Sequence, residues 1–149
     1  MDPEPRATWA LPERLDVAHN ESVARFIERV RPSAHSDVAT ELALAAEELP
    51  GIGTHCPDPA RYAYVVLHDG AGRIFALAFG MRGFALRVGA DAMDEAIADG
   101  AEADPGIGEG WVVFDPFRVD ERTGAARARL KRWTARAFGG GSRDLRKQE

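Results

Sequence analysis

Three short apolar runs separated by two glycine-containing links constrain the fold more than any other feature of the sequence. The runs occupy residues 62–68, 74–79 and 84–88. The links, residues 69–72 and 80–83, contain glycines that permit the positive φ of a tight connection. Links this short cannot make the crossover that parallel strands require. The stretch therefore predicts an antiparallel three-stranded meander.

The middle run, residues 74–79, is apolar at every position, whereas a strand with one solvated face alternates apolar and polar residues. It is therefore expected at the centre of the sheet, covered on both faces. Simple alternation places Phe75, Leu77 and Phe79 on one face and Ile74, Ala76 and Ala78 on the other. Helices are expected on the large-residue face. The cover of the other face is left open between a helix, another chain segment and a second subunit.

Apolar residues at helical spacing predict helices over residues 20–31, 36–49, 91–99 and 120–138. A fourth strand is expected over residues 111–115. The predicted class is α+β, an antiparallel four-stranded sheet with helices packed against it. Two of the helices precede the sheet and one long helix follows it.

Polar residues near the helix starts are expected to act as N-caps. Asn20 or Ser22 is the predicted cap of the first helix, and Ser36 that of the second. Pro32 is expected to stop the first helix, because the residue before a proline is pushed out of the α region.

Proline and glycine content predicts the domain limits. Residues 1–19 hold three prolines and are expected to form an extended N-terminal arm. Residues 20–138 form the predicted single α+β domain. The glycines at 139–141 are expected to end the last helix, which leaves residues 139–149 as a flexible charged tail.

The composition is that of an ordinary water-exposed globular domain, with 149 residues, 45% apolar and 29% charged. No run of 18 apolar residues predicts a membrane span, and the acidic, proline-rich start does not resemble a secretory signal. The single cysteine, Cys56, excludes an internal disulfide and favours a reducing compartment. A cytoplasmic location is the expectation.

The net charge of −5 is unevenly distributed. Residues 121–149 hold nine basic and three acidic residues, whereas the first 120 residues hold ten basic and 21 acidic ones. An acidic body argues against a general nucleic-acid binder, whose folded domain would carry a basic face. A contact through the basic end stays open.

The residues best suited to catalysis are His55, Cys56, His68 and Asp69, in two separate loops and turns. A cysteine nucleophile needs a base and a positive neighbourhood, and a zinc site needs about four ligands at typical spacings. Neither pattern is present, so no metal is expected. His68 and Asp69 are adjacent on a strand and point to opposite faces, which favours Asp69 as a turn former.

Four cations of the last helix, Arg129, Lys131, Arg132 and Arg136, surround Trp133 and form the candidate basic contact surface. Cations beside an aromatic ring are found on nucleic-acid-binding surfaces. Trp133 lies in the apolar stripe of the helix, however, so core packing is the preferred interpretation.

Two further groups of residues are interpreted as surface features. The glycine-rich segment at residues 106–110 lacks the preceding strand and following helix of a dinucleotide-binding loop. The acidic residues are Asp91, Asp94, Glu95, Asp99, Glu102 and Asp104. Without a calcium-loop pattern, they are interpreted as a solvated face.

Four segments follow one another in a specific order. They are the run GRIFALAFGMRGFALRV, the short acidic helix, the strand WVVFDPF and a final helix containing LKRW. In this order and spacing, residues from about 60 to 138 resemble the TfoX N-terminal domain and the related MmcQ/YjbR-like domains. The resemblance implies a small bacterial cytosolic α+β domain without a cofactor, and it carries over no catalytic residue.

Three hypotheses about function follow. The first is a non-enzymatic domain that acts by protein–protein contact, as a homodimer or with another protein. The second is an enzyme with a pocket beside His55, Cys56 and His68. The third is a nucleic-acid contact through the basic C-terminal helix.

Overall fold

A six-stranded antiparallel sheet runs through the centre of the structure. The computed structural model describes residues 11–15, 18–58, 63–117 and 123–148. The strands are β1 (Gly53–His55), β2 (Val65–His68), β3 (Ile74–Phe79), β4 (Gly83–Arg87), β5 (Glu102–Ala103) and β6 (Trp111–Phe114). Their order across the sheet is β1-β2-β3-β4-β6-β5.

The α+β class is confirmed, but the predicted number of four strands is wrong. The meander and the strand from Trp111 are present, although Tyr62 lies outside the described residues. The two additional strands, β1 and β5, are three and two residues long and lie at the edges. Strands this short, in glycine- and proline-containing segments, have no room to show the alternation that predicts a strand.

Four α-helices are present in the described part of the chain: α1 (Glu21–Val30), α2 (Ser36–Ala46), α3 (Met93–Ala98) and α4 (Thr123–Gln148). Short 3₁₀ turns occupy Glu13–Leu15, Ala18–Asn20 and Ala90–Ala92. Among the described residues, no helix is both long enough and apolar enough to cross a membrane.

Helices cover both faces of the sheet. Helices α2 and α4 pack together on one face, called the α2/α4 face, with Phe84 and Leu86 of β4 beneath them. Helix α1 packs on the opposite face, called the α1 face, together with the buried Leu15 of the N-terminal segment and Ile107. The predicted arm therefore contributes to the core, while residues 1–10 lie outside the described ranges.

The predicted division of β3 between the two faces is wrong, because the strand contains a β-bulge. Ala76 pairs with Leu67 and Ile74 pairs with His68, so Phe75 is the additional residue. Phe75 and Ala76 consequently both belong to the α2/α4 face, together with Ala78. Ile74, Leu77 and Phe79 belong to the α1 face. Segments of the same chain cover both faces, which answers the question left open by the sequence.

Asn20 occupies the predicted N-cap position of α1 without a capping hydrogen bond, and the predicted N-cap of α2, Ser36, is wrong. At α2 the N-cap is His35, whose Nδ1 accepts a hydrogen bond from the backbone N–H of Asp37 at 3.1 Å. Ser36 is the first residue inside that helix.

Helix α4 continues through the glycines at which it was predicted to end. It runs to Gln148, although each interior glycine costs about 1 kcal/mol relative to alanine. Arg73 supports this region, because its buried guanidinium donates a hydrogen bond from Nη1 to the carbonyl of Ala137 at 3.2 Å. Gly140 is buried against the same guanidinium. Packing against Arg73 therefore compensates for part of the glycine cost.

Candidate functional site

The first candidate site lies at the β1 edge of the sheet. His55 is paired with Val66, and His68 is paired with Gly53. Paired residues share a face, so both imidazoles lie on the α1 face of this hairpin. The His55 ring also meets the ring of buried Tyr64 edge-on, with the centroids 6.2 Å apart. The structure therefore brings two of the predicted residues together.

The pair His68–Asp69 does not form an acid–base dyad. The Nδ1 atom of His68 lies 2.9 Å from the backbone carbonyl oxygen of Asp69, not from its carboxylate. The carboxylate Oδ1 accepts backbone hydrogen bonds from Ala71 at 2.9 Å and from Arg73 at 3.0 Å. Asp69 therefore holds the turn between β2 and β3 together.

The electrostatic surroundings disfavour a reactive thiolate at Cys56. Burial raises the pKa of the thiol, and its Sγ lies 3.7 Å from the carbonyl oxygen of Ala63. Burial, followed by the nearby charges of Arg14 and His68, lowers the pKa of His55. Both side chains are thus held in their neutral forms at pH 7, whereas nucleophilic cysteines need a thiolate stabilised by positive charge. Among the described residues, no group of three or more metal-binding side chains converges.

The predicted basic surface of α4 faces the acidic end of α3. Asp99 accepts a hydrogen bond from Nε1 of Trp133 at 2.7 Å and one from Nη2 of Arg132 at 3.3 Å. Nε of Arg129 lies 3.5 Å from the same carboxylate. The hydrogen bond from Trp133, assisted by the two arginines, lowers the pKa of Asp99.

The other two cations of this surface are paired as well. Arg136 forms an ion pair with Glu95 and lies over the Trp133 ring, 4.4 Å from its centroid. Lys131 Nζ lies 2.9 Å from Oε2 of Glu48. Each member of the predicted basic group thus neutralises an acidic residue of the same chain, a pairing of distant segments that the sequence did not reveal.

The glycine-rich segment at residues 106–110 is a packed loop. Ile107 is fully buried on the α1 face, and Gly108 approaches Ser22 of α1 so closely that a side chain at position 108 would clash. Arg29 donates a hydrogen bond to the carbonyl of Gly106 at 3.0 Å. These contacts give the glycines a structural role between α1 and the sheet.

A groove between α2 and α4 was not predicted from the sequence. It has a volume of about 220 Å³. Its lining residues are Glu41, Leu44, Ala45, Glu47, Arg127, Ala128, Leu130 and Lys131. At one side, Arg127 binds Glu41 with two hydrogen bonds of 3.0 and 2.9 Å. An apolar floor is thus bordered by charged residues, and Leu44 remains 38% exposed in it.

A cleft of about 380 Å³ opens beside the first turn of α1, at the end of the sheet where β4 ends and β6 begins. Two arginines, Arg73 and Arg87, line it together with His19 and Trp111. No local pattern in the sequence indicates this cleft, because these four residues come from four segments with no shared motif.

Comparison with models of protein families, with curated proteins and with solved structures found no match to this chain.

Proposed function

We propose that this chain is a non-enzymatic domain that acts by protein–protein contact, and that its partner is a second copy of the same chain. The observation that carries the proposal is Leu44, a leucine 38% exposed in a groove with an apolar floor. Exposed leucines are common one at a time, but a leucine inside a concave apolar groove favours a docking surface.

The charges at the groove favour a second copy as the occupant. Helix α2 contributes the exposed Glu47, and α4 contributes Arg127 and Lys131, whose side chains are 54% and 46% exposed. Arg127 and Lys131 already pair with Glu41 and Glu48 of the same chain, and a two-fold axis through the groove would add the acidic side of the other copy opposite these pairs. Such self-complementary charges orient two identical surfaces while Leu44 supplies the apolar contact.

Sedimentation equilibrium over a protein concentration series tests this proposal. The native chain is expected to show a reversible monomer–dimer equilibrium, and Leu44→Asp is expected to shift it towards monomer. Ile97→Asp is the matched control, because Ile97 is also a helical residue and is 44% exposed. This control is expected to leave the equilibrium unchanged.

A native chain that stays monomeric at the highest concentration would refute the dimer. Equal weakening by Leu44→Asp and Ile97→Asp would refute the groove as its interface. A dimer that responds only to Met81→Asp would place the interface at the β3–β4 turn, where Met81 is 71% exposed.

The two alternative functions are less well supported. The raised pKa of the Cys56 thiol disfavours an enzyme with a cysteine nucleophile at the β1 edge of the sheet. The Asp69 carboxylate accepts backbone hydrogen bonds in its turn instead of pairing with His68. The ion pairs of α4 leave less positive charge for nucleic acid than the sequence suggested. A nucleic-acid binding assay at low salt tests the contact through the basic C-terminal helix. Three expectations stay predictions: a cytoplasmic location, a bacterial source and kinship with the TfoX N-terminal and MmcQ/YjbR-like domains.

A further inference from the structure

The β1 edge of the sheet is attached through a short contact that contains two histidines. Strand β1 has three residues and is the last strand in the sheet order, so β2 is its single neighbour in the described sheet. Three residue pairs join the two strands, and one of them is His55 with Val66. The ring of His68 lies over Gly53, where a side chain on the glycine would clash with it. The attachment of β1 therefore depends on how the two imidazoles pack.

One ring nitrogen of His55 is buried without a hydrogen bond. Its Nε2 atom has no partner among the described residues, although the residue as a whole is only half-buried. A neutral imidazole leaves one polar atom unsatisfied at this position. A protonated imidazole carries an N–H on both nitrogens, so its Nε2–H would be a charged donor buried without an acceptor, which costs more than a neutral one. The packed position therefore favours the neutral form of His55.

The charges that act on His55 also disfavour its protonation. They are those of Arg14, in the 3₁₀ turn before α1, and of His68 on β2, which is positive when protonated. Burial is the largest cause that lowers the pKa of His55, and these two charges act in the same direction. Two further titratable side chains of this edge, Tyr64 and Cys56, supply no negative charge at or below pH 7, because burial raises the pKa of both.

The carboxylates of this region act on other groups. The Asp69 carboxylate accepts backbone hydrogen bonds in the β2–β3 turn. The charge of Asp58 acts on the thiol of Cys56. Glu13, beside Arg14, is exposed to solvent. A proton on His55 would thus meet positive charge without a carboxylate to balance it.

We propose that His55 is an acid-sensitive switch that releases β1 from β2 when its imidazole is protonated. In the released strand both ring nitrogens reach water, and the imidazolium moves away from Arg14. Release exposes the edge of β2, where Val66 and Leu67 are otherwise buried, while the rest of the sheet stays paired.

The direction of the pH dependence follows from where the proton binds more readily. The open state has the ordinary histidine pKa of 6.5, and the closed state has a lower one. Closure of β1 is therefore fully stabilised above pH 6.5 and weakens as the pH falls from there through the lower value of the closed state.

Amide hydrogen exchange at pH 7 and pH 5 tests the proposal, with each rate expressed as protection relative to an unfolded peptide at the same pH. Protection of the β1 amides is expected to fall several-fold at pH 5, because protonation favours opening by up to about tenfold for each pH unit below 6.5. Protection in β4 is expected to stay constant. His55→Gln should remove the acid response of β1. The matched control is His19→Gln, which removes an exposed histidine and should keep the native response.

A second variant keeps the test valid if His55→Gln loosens β1 at every pH. His55→Phe retains a ring at this position without a titrating nitrogen, and it is expected to hold β1 equally protected at pH 7 and pH 5. The proposal is overturned if β1 of the native chain is unprotected at pH 7, or is equally protected at both pH values. It is also overturned if β1 and β4 lose protection together, if His55→Phe keeps the native acid response, or if His19→Gln abolishes it.

Discussion

The side-chain oxygen of Asn20 accepts a hydrogen bond from the backbone N–H of Ile74 at 2.8 Å. The amide nitrogen of the same side chain donates to the carbonyls of Leu15 at 2.9 Å and Gly72 at 2.8 Å. Asn20 is 1% exposed, so all three bonds are sheltered from water. One buried carboxamide thus connects the N-terminal segment, the β2–β3 turn and the bulged start of β3.

Replacement of Asn20 is expected to destabilise the fold through these three contacts. Asn20→Ala leaves a buried N–H and two carbonyls without their partner, and we expect a loss of about 2–3 kcal/mol in the free energy of unfolding. Asn20→Ser separates this role from helix capping, because serine caps helices well but cannot reach all three groups. Urea unfolding followed by circular dichroism measures both variants. A serine variant as stable as the native protein would mean that capping is the role of this position.

The meander could be predicted because its signals are local. The glycines of the turns and the alternation of Phe84 and Leu86 against Ala85 are visible in a few consecutive residues, and the structure keeps that alternation. The bulge at Phe75 could not be predicted, because it depends on the register with Leu67 and His68 in the next strand. The sequence also does not indicate that the Asn20 side chain accepts a hydrogen bond from β3 instead of capping the start of α1.

The candidate sites illustrate the same limit. The groove forms because Glu41 and Arg127, 86 positions apart, meet where α2 packs on α4. A charge run such as that of α4 indicates a basic surface only if nothing acidic folds onto it. The acidic end of α3 does pack against the charge run of α4, and a single residue, Asp99, pairs with both Arg129 and Arg132. Charge pairing across the fold therefore changes what a local pattern means.

The Glu41–Arg127 pair is expected to contribute more to stability than an exposed ion pair. Its glutamate side chain is only 10% exposed, and both carboxylate oxygens accept hydrogen bonds. A double-mutant cycle with alanine at both positions is expected to give a coupling energy clearly above that of an ion pair in which both side chains are exposed. Urea unfolding at low protein concentration keeps dimer formation out of the measurement.

The exposed pair of Lys131 and Glu48 serves as the control for this cycle. Its side chains are 46% and 71% exposed, and it bridges the same two helices. We expect a coupling energy of about 0–0.5 kcal/mol for it. Equal coupling in the two cycles would show that burial of Glu41 does not strengthen its ion pair.

Cys56 is expected to react slowly with thiol reagents. Burial raises its pKa above the usual value of 9.0, so the thiolate is a minor species at pH 7. The rate of reaction with a disulfide reagent should lie roughly tenfold below that of the urea-unfolded chain, and it should rise steadily through pH 9. A plateau in the rate below pH 8 would instead identify an activated thiolate and revive the enzyme hypothesis.

The lowered pKa of Asp99 makes the α3–α4 contact sensitive to acid. Its first cause is the hydrogen bond from Trp133, and the charges of Arg129 and Arg132 act in the same direction. Because the unfolded state binds the proton more readily, the stabilisation is complete above the unfolded pKa, near 3.8, and is lost as the pH falls through the lower folded value.

Asp99→Asn is therefore expected to lower the free energy of unfolding by about 1 kcal/mol at pH 7, since an amide accepts weaker hydrogen bonds than a carboxylate. The difference between this variant and the native chain should shrink as the pH falls below about 3.8, because the unfolded native chain takes up the proton before the folded chain does. Urea unfolding at a series of pH values measures it. Asp94→Asn, an exposed residue of the same helix, is the control and should change little at any pH. A difference for Asp99→Asn that stays constant from pH 7 to pH 3 would mean that the ionised carboxylate does not stabilise the contact.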